Sequence, residues 1–324
     1  MANQIDNDSK DIGARVIGYG YPQIVRASGG RIYAVHLNDA GELEIHYSDN
    51  ETDWTLDETF HVGTAIDPDM PCLVAFADGD IALAYCFSTG GNEYTIKVKL
   101  RDNGTGNWSE IYEDTGAESN YIIKPLLTIN KSASNRLHLM YVENDGYSVD
   151  IRHDSTDNKG SSWAGVTTHN LSSGAVGSHY WHNYSLDSDA STGDIYLWVH
   201  AQHLGSMYIY RYNSTGAYQA LLSGSVASFT GGCGLVTSSN KKWTVTLTSG
   251  YLRIWYTTAT SGSIGTISLN IPTIRAIDGN ICCGADGNDN LYVIYTKLAD
   301  EKAYIRKDYA ETDTWDSESA LKTS

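Results

Sequence analysis

The chain has 324 residues, with 39 acidic side chains against 22 basic ones and a formal net charge of −17. That balance opposes a nucleic-acid partner, whose binding rests on Lys and Arg against phosphate, and it disfavours an anionic membrane surface. Its 23 Tyr, 8 Trp and 31 Gly suit strands and tight turns, and no run of 18 apolar residues is present to cross a membrane as a helix.

The N-terminal "MANQIDNDSKDIG" is polar and has no apolar core of a secretory leader, which predicts cytoplasmic synthesis without a signal peptide. Beyond it, an apolar strand recurs six times: "IYAVH" (32–36), "IALAY" (81–85), "LHLMY" (137–141), "IYLWV" (195–199), "WTVTL" (243–247) and "LYVIY" (291–295). Their starts are 49, 56, 58, 48 and 48 residues apart. A turn containing Gly, Asp or Asn precedes most copies, and a shorter strand lies before each turn, as in "PQIVRA", "PCLVAF" and "PLLTI". An alternating strand follows each copy, among them "ELEIHY", "TIKVKL" and "SVDIRH", and the better-preserved units add a fourth, such as "WTLDETFHV".

Four strands repeated six times predict an all-β chain forming one β-propeller of six four-stranded blades. The expected blades run over 19–65, 66–118, 119–175, 176–226, 227–272 and 273–324. Residues 1–18 close the ring, with "DIGARVIG" as an outer strand for the last blade, and seven blades are the alternative. The five cysteines (Cys72, Cys86, Cys233, Cys282 and Cys283) sit in apolar runs without metal-ligand spacing, and no cofactor or metal is implied.

The loop after each third strand repeats related chemistry: "YSDNETDW", "RDNGTGNW", "HDSTDNKGSSW", "YNSTGAY", "TTATSGSIG" and "KDYAETDTW". Trp54, Trp108, Trp163 and Tyr218 follow at intervals of 54, 55 and 55 residues. The third copy, from Ser155 through Asp157 and Gly160 to Trp163, resembles the Asp-box turn of sialidase-like, BNR-repeat propellers. In that family the turn is a folding device, so function is expected on the opposite face, at the end of each second strand. That face holds His36, Phe87, Tyr141, Glu143 and, most densely, "SHYWHNY" with "VHAQH". His179, Tyr180, Trp181, His182, Tyr184, His200 and His203 are therefore the candidate ligand-binding residues. Aromatic faces stack on sugars, and His moves protons near neutral pH.

The order of the first units also resembles BNR-repeat polysaccharide lyases. That resemblance implies one histidine near Asp69 or Met70, another near Phe87 and Ser88, a tyrosine matched by Tyr184 and an arginine near His203. Three of these four groups are missing. A sialidase would need a cluster of arginines, yet Arg152, Arg211, Arg253 and Arg306 fall on third strands, towards the Asp-box side. The sequence therefore predicts a recognition or structural module without catalysis, associated with a phage virion or tail. The partners expected are a surface polysaccharide and other virion proteins. The alternative is a glycan-degrading lyase or hydrolase using the His-rich rim of the fourth blade.

Overall fold

The computed structural model describes residues 24–38, 40–60, 71–90, 93–118, 125–132, 136–144, 149–171, 182–201, 206–225, 229–248, 251–272, 276–286, 288–297, 303–309, 314–317 and 319–320. Those residues form strands joined by turns, with no helix long and apolar enough to cross a membrane. The strands build six antiparallel sheets, the blades of a six-bladed β-propeller.

The first blade contains β1 (Ile24–Arg26), β2 (Ile32–Leu37), β3 (Leu43–Ser48) and β4 (Thr55–Phe60). The second contains β5 (Cys72–Ala75), β6 (Ile81–Gly90), β7 (Glu93–Arg101) and β8 (Trp108–Glu118). In the third are β9 (Leu126–Ile129), β10 (Leu137–Asn144), β11 (Val149–Thr156) and β12 (Thr167–Leu171). The fourth has β13 (His182–Ser188), β14 (Ile195–Ala201), β15 (Ser206–Tyr212) and β16 (Tyr218–Ser225).

The fifth blade starts with β17 (Phe229–Val236), β18 (Lys242–Thr248) and β19 (Tyr251–Thr257). Its loop then lends β20 (Gly262–Ser263) in parallel to the edge of the fourth, before β21 (Thr266–Pro272) completes the sheet. The sixth comprises β22 (Ala276–Ala285), β23 (Leu291–Lys297), β24 (Ala303–Asp308) and β25 (Ser319–Ala320). Its fourth described strand is β25; "DIGARVIG", expected to close this blade, lies outside the described residues. Trp315 leads the chain there, bridging to Asp308 and meeting Trp243 edge-on.

The chain divides into two compact units, one carrying the first three blades and the other the last three. Within each, neighbouring blades share a core. Tyr33, Val35, Leu43 and Ile45 of the first blade pack on Leu73, Ile81, Leu83 and Tyr85 of the second. The opposite face of that second blade, with Ala82, Ala84 and Cys86, packs on Leu137, Leu139 and Tyr141 of the third. Strand residues alternate between faces, so a strand covered on both sides must be apolar throughout. This burial accounts for the unbroken apolar second strands.

Short turns join first and second strands. Gly79 and Gly193 there have φ of +95° and +73°, and Asn240 takes φ of 64° in the same role. In the loops after third strands, side-chain oxygens hold the turn: Asn50 accepts from Asp53 N, Asp102 from Thr105 N, Asn158 from Ser162 N and Asn213 from Ala217 N. In "HDSTDNKGSSW" the turn-holding groups are Asn158 and Thr156, whose hydroxyl accepts from Gly160 N. Asp157 instead pairs with Arg136. Trp163 plugs the joint with the second blade, donating to the Ile111 carbonyl at 2.7 Å.

Candidate functional site

Of the residues singled out on the fourth blade, His179, Tyr180, Trp181 and His203 lie outside the described residues. His182 opens β13, with its backbone opposite Ala201. Tyr184 pairs with Val199 and His200 with Asn183, one step out of phase, so Tyr184 and His200 occupy opposite faces of the sheet. Both are interior, at 4 % and 0 % exposure. His200 is seated over Gly232 of β17, where an added Cβ would overlap its ring. Burial pushes the Tyr184 hydroxyl above its ordinary pKa. Tyr184 and His200 are thus packed in the interior of the fourth blade.

Other histidines are interior as well. His36 is buried, and His138 and His153 share a 3.0 Å nitrogen–nitrogen hydrogen bond inside the third blade. Burial lowers these last two to about 3 and about 4, so both are neutral near pH 7.

Polar and charged side chains gather on one face of the third blade. Tyr141 stands opposite Arg152, and Glu143 opposite Asp150. On the far side of β11, Arg152 faces Thr168 and Asp150 faces Asn170. Six side chains of three strands therefore project together. Arg152 donates from Nε to Glu143 Oε2 at 2.6 Å and from Nη1 to Thr168 Oγ1 at 2.5 Å. Asn170 donates to Asp150 Oδ1 at 2.6 Å, and the Tyr141 hydroxyl donates to Asp114 of β8. Burial raises the Glu143 carboxyl above its usual range, against the opposing pull of Arg152. Burial, then the bond to Asp114, raises the Tyr141 hydroxyl.

The array grades outward from a buried phenol, through a half-buried ion pair, to an exposed amide at Asn170. A guanidinium, an amide and carboxylates in fixed register suit hydroxyl-rich ligands, and a carboxyl with a raised pKa is equipped for proton transfer. The sequence placed Tyr141 and Glu143 near this position but assigned Arg152 to the other end. The missing information is cross-strand register, which sets Arg152 in mid-strand within reach of Glu143.

At the positions where the lyase resemblance implies histidines, Asp69 and Met70 lie outside the described residues. Phe87 is half-buried against Tyr85, with ring centroids 6.4 Å apart. Among the described residues, one group has the ligand types and spacing for a metal ion: His36, Glu44 and His46 of the first blade.

No family model and no curated protein matches the chain. Solved structures do. The Aleuria aurantia lectin in complex with Fucalpha1-6GlcNAc aligns over 94 % of this chain and 97 % of its own, with a TM-score of 0.58 at 13 % identity. A polysaccharide lyase, an ulvan lyase bound to -[GlcA(1-4)Rha3S]-, aligns over 94 % and 84 %, with a TM-score of 0.58 at 10 % identity. A protein of unknown function from Dyadobacter fermentans aligns over 86 % and 90 %, with a TM-score of 0.56 at 15 % identity. Each likeness is one of fold. This lectin and this polysaccharide lyase thus share the propeller architecture of the chain.

Proposed function

We propose that the protein is a glycan-recognition propeller that does no chemistry on its ligand. The observation that carries this reading is the array on the third blade. Arg152, Thr168, Asp150 and Asn170 hold hydrogen-bonding groups in one register, while Glu143 is committed to Arg152. Stacking of Tyr180 and Trp181, with His179, His182 and His203, on sugar is a separate part of the proposal, resting on the sequence alone. A place on a virion or phage tail is its finer part, resting on analogy with surface-recognition scaffolds alone. Detection of the chain in purified particles tests that part.

A glycan array followed by titration tests the main reading. Saturable binding is expected, weakened at least tenfold by Arg152→Ala or Trp181→Ala, with no shortening of any polysaccharide. A second reading, glycan cleavage, is favoured by the raised Glu143 carboxyl beside Tyr141. Depolymerisation that disappears in Glu143→Gln or His182→Ala would replace the first reading with the second.

A further inference from the structure

The β2–β3 hairpin carries a second concentration of chemistry, away from the third blade. Alternation along β3 puts Glu44 and His46 on one face, and the register sets His36 opposite Glu44 and the small Ala34 opposite His46. This face is the reverse of the one bearing Val35, Leu43 and Ile45, which pack on the second blade. The imidazoles of His36 and His46 stack with centroids 4.9 Å apart and planes inclined by 27°. Both are buried, at 4 % and 8 % exposure. Glu44 Oε2 lies 3.2 Å from His46 Nε2 and 3.7 Å from His36 Nε2. One ligand atom from each residue falls within 4.8 Å of the others.

A tetrahedral ion with bonds of about 2.0–2.1 Å holds its donor atoms roughly 3.3 Å apart. The two carboxylate–imidazole separations, 3.2 and 3.7 Å, already lie near that value, and all three donor atoms fall within 4.8 Å of one another. Outer contacts fix the carboxylate. Asn38 Nδ2 donates to Glu44 Oε1 at 2.9 Å, which turns Oε2 towards the imidazoles. Asn38 is itself held by accepting from Ala40 N at 3.0 Å and Glu42 N at 2.9 Å. Such support is what orients ligands in metal sites.

We propose that His36, Glu44 and His46 bind one divalent transition ion of the zinc class, with a water completing the coordination. Two imidazoles and one carboxylate select zinc-like ions over calcium or magnesium, which prefer all-oxygen sites. The ion ties β2 to β3 and leaves an open position, as three-ligand zinc sites do.

The test uses the full chain after chelator treatment, titrated with ZnCl2 by calorimetry and with CoCl2 by visible absorption. The expected result is one ion per chain, a melting temperature raised by about 5 °C at a hundredfold excess over Kd, and the intense bands of four-coordinate cobalt. Glu44→Gln and His46→Gln should each weaken zinc at least tenfold, whereas His169→Gln on β12 should leave it unchanged. Asn38→Ala spares every ligand and should cost about tenfold; circular dichroism checks that each variant folds, and Asn38→Ala carries the test if a ligand variant does not. Absence of one-to-one binding in the wild-type chain, or undiminished wild-type affinity in Glu44→Gln and His46→Gln, overturns the proposal.

Discussion

Gly234 and Gly232 on β17 face side chains that leave no room for any other residue. A Cβ at Gly234 would overlap the Trp198 indole, and one at Gly232 the His200 ring. The indole is wholly buried and donates to Thr244 Oγ1 at 3.0 Å, so it has no free space into which to retreat. Gly234 N also donates to Ser185 Oγ at 2.8 Å, which holds the two backbones close. Replacing Gly234 with valine should therefore destabilise the protein by about 3 kcal/mol. Denaturant unfolding followed by tryptophan emission reads this directly, and an unchanged midpoint would mean that Trp198 is not seated there. These glycines stand in "GGCGLV", where the sequence shows a strand but not which side chains press on it.

Between elements, the joint of the first and second blades turns on Asp57 in β4. Arg101 of β7 binds its carboxylate with both Nε and Nη2, at 2.8 and 2.9 Å, and Trp108 Nε1 donates at 2.7 Å. The guanidinium also lies over the Tyr33 ring. Both charged side chains are 7 % exposed, so each depends on the other for the solvation it has lost. Asp57→Ala should cost about 3–5 kcal/mol by leaving Arg101 buried without a counter-charge. Adding Arg101→Met should recover part of that loss, because it removes the stranded charge. A double-mutant cycle on unfolding free energies checks both outcomes, and additivity would show that the pair is not coupled.

The same scale shows what could be read from the sequence. Second strands were legible because burial on both faces forces an unbroken apolar run, visible without any partner. Turns were legible because Gly79 and Gly193 need left-handed backbone. Cross-strand register was not legible. "ELEIH" displays Glu44 and His46 two apart, but nothing in it reveals that His36 sits opposite. Likewise "SVDIRHD" does not tell that Arg152 meets Glu143. His200 looked like a rim residue because "IYLWV" does not show that its strand runs on to Ala201, while the burial of Tyr184 comes from packing that no single strand reveals.

For the whole molecule, the net charge of −17 bears on the proposed glycan binding. At low ionic strength the surrounding field repels an anionic ligand, and the Debye length of about 10 Å at 0.1 M salt sets where that repulsion fades. A neutral oligosaccharide should bind with affinity that changes less than about twofold between about 50 and 500 mM NaCl. A uronate or sulfated chain should bind more tightly as salt rises. Titrations across that range check this, and an affinity that falls with salt would point to a local basic pocket overriding the field.

The joints between blades also bear on how such a chain can be altered. One is closed by an ion pair under Tyr33, another by an indole resting on glycine. Although six units repeat in sequence, these junctions are chemically unlike, so the units cannot be exchanged or duplicated freely. A blade moved from the fourth position to the first would carry Trp198 to a neighbour with no hollow for it. The repeat conserves strand order while each seam specifies its own partner.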